Sequence, residues 1–169
     1  PARRSSDLFP QVLSRVAVAR SRLGDDPGAE AASREALSVL SRDPKAGVST
    51  AITALLTMAD AQMRQGRIAD AEQSYREALD KTLARNGAQH VDTLHVQGSF
   101  GWFLRRTSRR AEASRLLEQA AAQLKRDTYP PNAIRAVTGH IAQALLAEGR
   151  YAAAQTPIET LVAAYAQVA

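Results

Sequence analysis

The chain repeats itself with a step of 42 residues, and no other feature of it restricts the fold so strongly. Ala29-Glu30-x-x-x-Arg34-Glu35-Ala36-Leu37 returns as Ala71-Glu72-x-x-x-Arg76-Glu77-Ala78-Leu79, and a weaker third copy follows as Ala113-Ser114-x-x-x-Glu118-Gln119-Ala120-Ala121. Gly24, Gly66, Ser108 and Gly149 keep the same register, at intervals of 42, 42 and 41 residues. A fixed period of this size marks an array whose units are single supersecondary elements. Each unit is too small to bury its own apolar face, so stability is shared between a unit and its neighbours. Four such units are in register.

The residues between these landmarks favour helix. Ala, Leu, Arg, Gln and Glu dominate long stretches, with only seven prolines and nine glycines in 169 residues. In the second unit a first helix is predicted over about 49–65, capped by Ser49 or Thr50 and ended by Gly66. A second helix follows over about 67–86, closed by Gly87, with Ile68, Ala71, Tyr75, Ala78 and Leu79 as its apolar stripe. In the third unit Asp92 is the expected N-cap of a helix burying Leu94, Val96, Phe100 and Phe103 or Leu104. Ser108 is the expected cap of its partner, whose stripe is Ala113, Leu116, Leu117, Ala120 and Leu124. The fourth unit follows Pro130-Pro131-Asn132, with helices at about 133–148 and 151–167. Pro157 either bends the last helix or, as part of Thr156-Pro157-Ile158-Glu159, restarts it. In the first unit Asp26-Pro27 opens the second helix and Asp43-Pro44 closes it. The expected organisation is a flexible segment at 1–6 and one repeat domain at 7–169, with units at about 7–44, 49–87, 91–126 and 132–167.

Small residues recur where helices must approach closely: Ala59, Ala71, Ala78, Gly101, Ala113, Ala120, Ala142 and Ala154. A larger side chain at such a contact overpacks it, at about 1–3 kcal/mol. Leu55, Met58, Tyr75, Phe100, Leu117, Ile141 and Tyr151 are the bulky neighbours that fill the space between.

The run Leu55-x-x-Met58-Ala59, then Gly66-x-Ile68-x-x-Ala71-x-x-x-Tyr75-x-x-Ala78, resembles the tetratricopeptide repeat, and the likeness covers about residues 10 to 167. The 42-residue step, together with His90-Val91-Asp92-Thr93-Leu94 before a first helix, is similar to the kinesin light chain subclass, whose linker carries His-Pro-Asp-Thr. Val91 departs from that pattern. The resemblance implies an all-α fold, an α-α superhelix of right-handed solenoid type with about four helix-turn-helix repeats, whose concave wall is lined by the first helix of each unit. It implies a module that binds a protein or peptide segment and is not an enzyme. In bacteria such arrays serve as docking or sensor parts of larger signalling proteins, including serine/threonine kinases and transcriptional regulators.

The binding candidates are first-helix residues that do not point at the core. The third unit offers His95, Ser99, Trp102, Arg105 and Arg106, spaced along one helical stripe with Gly98. The second offers Asp60 and Arg64, beside Thr53, Leu56 and Met63; the fourth offers His140 and Gln143, beside Gly139; the first offers Ser14, Val18 and Arg22. A guanidinium can grip a carboxylate with two hydrogen bonds, and a tryptophan can anchor an interface, so Trp102 with Arg106 is the sharpest pairing and an acidic, partly apolar segment the expected partner. Trp102 has a second reading as a packing residue, and the sequence leaves both open. The Lys and Asn that carboxylate-clamping members use on these helices are missing here.

Other chemistry finds little support. There is no cysteine, and His90, His95 and His140 do not share a helical face, so neither a metal nor any other cofactor is expected. Gly98-Ser99-Phe100-Gly101 lies within a predicted helix, where glycine serves close packing and not phosphate binding. The +5 formal charge and the cluster Arg105-Arg106-x-x-Arg109-Arg110 make nucleic acid an alternative ligand, though a disfavoured one, because the cluster also suits a solvated rim. No apolar run is long enough to span a membrane, and a cytoplasmic location is expected. Self-assembly is the remaining alternative, since the first unit and the Leu161, Val162, Tyr165 end lack an evident polar cap.

Overall fold

The computed structural model describes residues 5–42, 47–123 and 131–166, apart from the side chains of residues 5–7, 131–137, 140 and 164. Among the described residues there are eight helices and no strand: α1 Ser5–Arg22, α2 Asp26–Leu40, α3 Val48–Arg64, α4 Ile68–Asn86, α5 Val91–Arg106, α6 Arg110–Gln123, α7 Pro131–Ala147 and α8 Tyr151–Ala166. They form four consecutive hairpins, in the order and with the period expected from the sequence.

The hairpin turns are the most regular part of the molecule. Gly24, Gly66, Ser108 and Gly149 all adopt left-handed backbone angles, with φ of 80°, 77°, 65° and 72°. In each turn the next residue's N–H reaches back across the helix end: Asp25 to the Arg20 carbonyl at 3.0 Å, Arg67 to Gln62 at 2.9 Å, Arg109 to Leu104 at 2.9 Å and Arg150 to Leu145 at 3.0 Å. This is the closing bond of the Schellman motif, which satisfies a carbonyl that the helix end would otherwise leave open. Ser108 therefore does what the three glycines do. It is not the cap of α6 that its residue type suggested.

Other helix ends also differ from expectation. Asp25 caps α2, its carboxylate accepting the Gly28 N–H at 2.9 Å, while Pro27 sits in the first turn. Gly47, in a left-handed conformation, precedes α3, and neither Ser49 nor Thr50 caps it. Ahead of α5 the cap is His90, whose Nδ1 accepts the Asp92 N–H at 3.2 Å; Asp92 lies inside the first turn. Helix α8 continues through Pro157 without restarting. Asp43 and Pro44 lie outside the described residues, and α2 ends at Leu40.

Contacts divide the chain into two compact units, Pro1–Lys81 and Thr82–Ala169, with the division inside α4. In the first, α1 packs on α2 and α3, and α2 on α3. Ala17, Ala29, Ala36, Ala59, Ala71 and Ala78 are all fully buried there. In the second, α5 packs on α6 and α7, and α7 and α8 pair. Gly101, Ala113, Ala120, Ala142 and Ala154 occupy the same register and are also buried. A Cβ on Gly101 would lie 2.7 Å from both Cγ and Cδ2 of Leu117, so α5 meets α6 at a distance that only glycine permits without a shift.

Candidate partner-binding surface

In the second unit, the candidate residues of α5 lie on a face that is only partly open, with Gly98 buried. Phe100 and Phe103 turn inward, buried and stacked with ring centroids 6.0 Å apart. That leaves His95, Ser99, Trp102 and Arg105 half-buried and Arg106 exposed. Trp102 combines both readings open to it in the sequence. It packs against a cluster of Leu94, Leu117, Ala120, Ala121, Ile141, Ala144, Leu145 and Ala154, yet keeps part of its ring in solvent. The guanidinium of Arg105 lies over that ring, 4.7 Å from its centroid, a cation–π arrangement. Arg105, not Arg106, is thus the direct partner of Trp102. The buried Nε of Arg105 has no hydrogen-bond acceptor among the described residues. Arg109, in the same basic cluster, is held by Glu112 at 2.5 Å. On α7 Gln143 is exposed, and the side chain of His140 lies outside the described residues.

In the first unit the corresponding candidates serve the fold. Asp60 is half-buried and accepts the hydroxyl of the buried Tyr75, tying α3 to α4. Burial and the adjacent Asp60 carboxylate push the Tyr75 hydroxyl far above its ordinary range, so it remains a donor at any physiological pH. Arg64 donates to Asp26 Oδ1 and to Ser21 Oγ, both at 2.7 Å, fastening the end of α3 to the first hairpin. Ser14 is buried and Val18 half-buried.

Sequence reasoning missed a polar centre in this unit. Glu30, on α2, is a buried carboxylate. It accepts from Arg34 at 2.5 Å, from Gln62 at 3.3 Å, from Gln65 at 3.1 Å and from Arg67. Gln62 in turn accepts the Ser74 hydroxyl at 2.9 Å. Burial alone would raise the Glu30 carboxyl, but the donors from Arg67, Gln65 and Gln62 outweigh it and hold it below the usual carboxylate range. Above this centre opens a cleft of ≈ 280 Å³, lined by Glu30, Arg34, Met58, Gln62, Arg67 and Ser74 among others. Its carboxylate is already saturated with donors, which makes it a lock between α2, α3 and α4 and a poor ligand site. One sequence signal pointed to it: Gln62 stands where the third and fourth repeats have Leu104 and Leu145.

No three His, Asp or Glu side chains gather in a metal-binding arrangement among the described residues, and no described helix is long and apolar enough to cross a membrane.

Comparison with known proteins agrees with this architecture. Residues 49–126 match the tetratricopeptide repeat family. No curated protein matches the chain at a significant level. Among solved structures, BtubC (BKLC) from P. vanneervenii is similar at a TM-score of 0.74 and 18% identity, over 99% of this chain and 67% of that one. The structure of a Podosopora anserina putative kinesin light chain with nearly identical TPR-like repeats is similar at a TM-score of 0.68 and 18% identity, over 98% of this chain and 78% of the other. Identities this low speak for the fold alone. The match over residues 49–126 marks tetratricopeptide-type repeats there, and the solved structures share the helical-hairpin fold of the chain.

Proposed function

We propose that this chain is a non-catalytic docking module that binds a protein or peptide segment, acidic and partly apolar, on the partly exposed face of α5 that carries Trp102. The observation that carries the reading is Trp102 with Arg105. A tryptophan fixed from beneath by the core and from one side by a guanidinium is already ordered, so a partner that covers it meets little entropic cost. The half-buried Arg105 and the exposed Arg106 supply guanidinium donors for a carboxylate beside it. Solved relatives in fold and the repeat match support a protein-binding role. We further propose that the module works in the cytoplasm as the docking part of a larger bacterial signalling protein, such as a serine/threonine kinase or a transcriptional regulator.

An array of immobilised peptides bearing paired Asp or Glu next to Leu or Phe tests the reading. The Arg106→Glu variant changes only an exposed side chain and is expected to lose at least about tenfold in capture, with its circular dichroism unchanged. Trp102→Ala is expected to lose about 2 kcal/mol of binding, the usual size of a tryptophan hot spot. Equal capture by Arg106→Glu and the parent would remove the α5 face as the site.

A further inference from the structure

The first helix of each hairpin carries a register of positions that faces the hairpin before it. In α3, which packs on α1 and α2, that register is Ala51, Ala54, Met58, Ala61 and Gln62, every one buried or half-buried. In α7 it includes Ile141, Ala144 and Leu145, buried against Leu117, Ala120 and Ala121 of α6. On α1 the same register reads Phe9, Val12, Val16, Ala19 and Arg20, and all five are exposed. Phe9 is 51% exposed, Val12 55% and Val16 38%, with Leu8 beside them at 48%. Where α3 has two alanines and a methionine under cover, α1 displays a phenylalanine and two valines to water.

The second helices carry the matching half of the seam. On α2 the register includes Leu37, half-buried beside Met58 in the cleft, and Leu40, also half-buried. On α6 its member Ala121 lies in the apolar cluster. On α8 the equivalents are Val162 and Tyr165, at 62% and 61% exposure. A soluble chain rarely leaves several large apolar side chains together in water on one helix face without a use for them. Here the two bare faces are the two complementary halves of a contact that the chain already makes within itself.

We propose that a second copy of this chain covers them: α8 of one copy seats on α1 of the next, continuing the seam by which one hairpin stacks on another. The contact is heterologous, joining two different surfaces, so it propagates and does not close on itself as a twofold dimer would. It is also apolar in character. Inside the chain Arg67 and Arg150 pair across their seams with Glu30 and Glu118. At the junction between copies Asp25 is the register equivalent of both arginines, while Gln155 and Glu159 are those of Glu30 and Glu118, so no such ion pair forms. Association therefore persists at high salt, where an ionic contact would weaken.

Sedimentation over a wide concentration range, with two exposed-site variants, tests this. The parent is expected to grow with concentration without a fixed stoichiometry. Val12→Glu, which blocks the α1 seat, and Val162→Glu, which blocks α8, are each expected to remain monomeric. Mixed, they are expected to form a one-to-one dimer, because each retains the half that the other has lost. Circular dichroism checks that both variants are folded. A parent that stays monomeric throughout, a singly blocked variant that still self-associates, a mixture that does not pair, or an association dissolved by salt each overturns the proposal. None of these outcomes bears on peptide capture by α5, which is read from Arg106→Glu.

Discussion

The two compact units are built on one register but hold their helices together by different means. In the first, the contact of α2 with α3 and α4 closes around a buried carboxylate, with Glu30 gripped by Arg34, Arg67, Gln62 and Gln65. In the second, the equivalent region has an apolar centre, with Leu104 and Leu145 where Gln62 stands and Leu117 where Ser33 stands, while Ser114 replaces Glu30 and donates to Glu148, and Arg150 pairs with Glu118 beside it. What stays constant between them is the column of small residues and the left-handed turn. Backbone approach and turn geometry thus define the repeat, and the seam around them accepts either a satisfied polar network or an apolar core, provided that each is complete.

The largest expected effect exploits one register position. Leu117 is fully buried beside Gly101, so Leu117→Ala should destabilise the second unit by about 2–5 kcal/mol. Its counterpart Ser33 is also fully buried, yet its hydroxyl has no hydrogen-bond partner among the described residues, so Ser33→Ala should be neutral or slightly stabilising. Urea unfolding resolves the contrast. Trp102, the sole tryptophan, reports the second unit by fluorescence, while far-ultraviolet circular dichroism reports helices in both. Similar losses at the two positions would show that the units do not differ as described.

A smaller effect is expected at the polar seam. Glu30→Ala removes a saturated buried carboxylate and should cost about 1–3 kcal/mol, a range set by the hydrogen bonds lost and by the partial exposure of Arg67, to which solvent returns. The pH dependence identifies the cause. The Glu30 carboxyl titrates lower in the folded chain than its ordinary 4.5. Its contribution is therefore fully present above that pH and is lost as pH falls through the lower folded value. The difference between parent and Glu30→Ala should narrow in acid, whereas the Leu117→Ala difference should carry no such titration. A gap at Glu30 that stays constant into strong acid would mean that packing, not charge, holds the seam.

The repeat, the hairpin order and the small-residue column were legible in the sequence because each recurs at a fixed step, and periodicity is a local signal. Trp102 was legible as exposed or packed but not as both, since helical spacing assigns a direction to a side chain and cannot say how deep it sits. The Glu30 centre was hidden for a different reason: its donors come from Arg34, Gln62, Gln65 and Arg67, three of them more than thirty residues away, and a glutamate in a helical stripe reads as solvated. Capping failed at Ser49, Thr50 and Ser108, where residue type competed with backbone geometry and geometry decided. The choice of His90 over Asp92 was a shift of two residues along the same linker.

Ser108 carries the smallest and most specific test. Three of the four turns place glycine at the left-handed position, and the second unit alone places a serine in one of its turns, at φ 65°. An L-residue held there is disfavoured by roughly 1–2 kcal/mol because its Cβ approaches the following carbonyl. Glycine removes that crowding but loses about 0.5–1 kcal/mol of chain entropy on folding. The serine side chain is exposed, so its removal uncovers nothing. The balance favours Ser108→Gly by a fraction of a kcal/mol, a small rise in the urea midpoint of Trp102 fluorescence. A fall instead would mean that the serine hydroxyl supports the turn in solution, and that this turn is not equivalent to the other three.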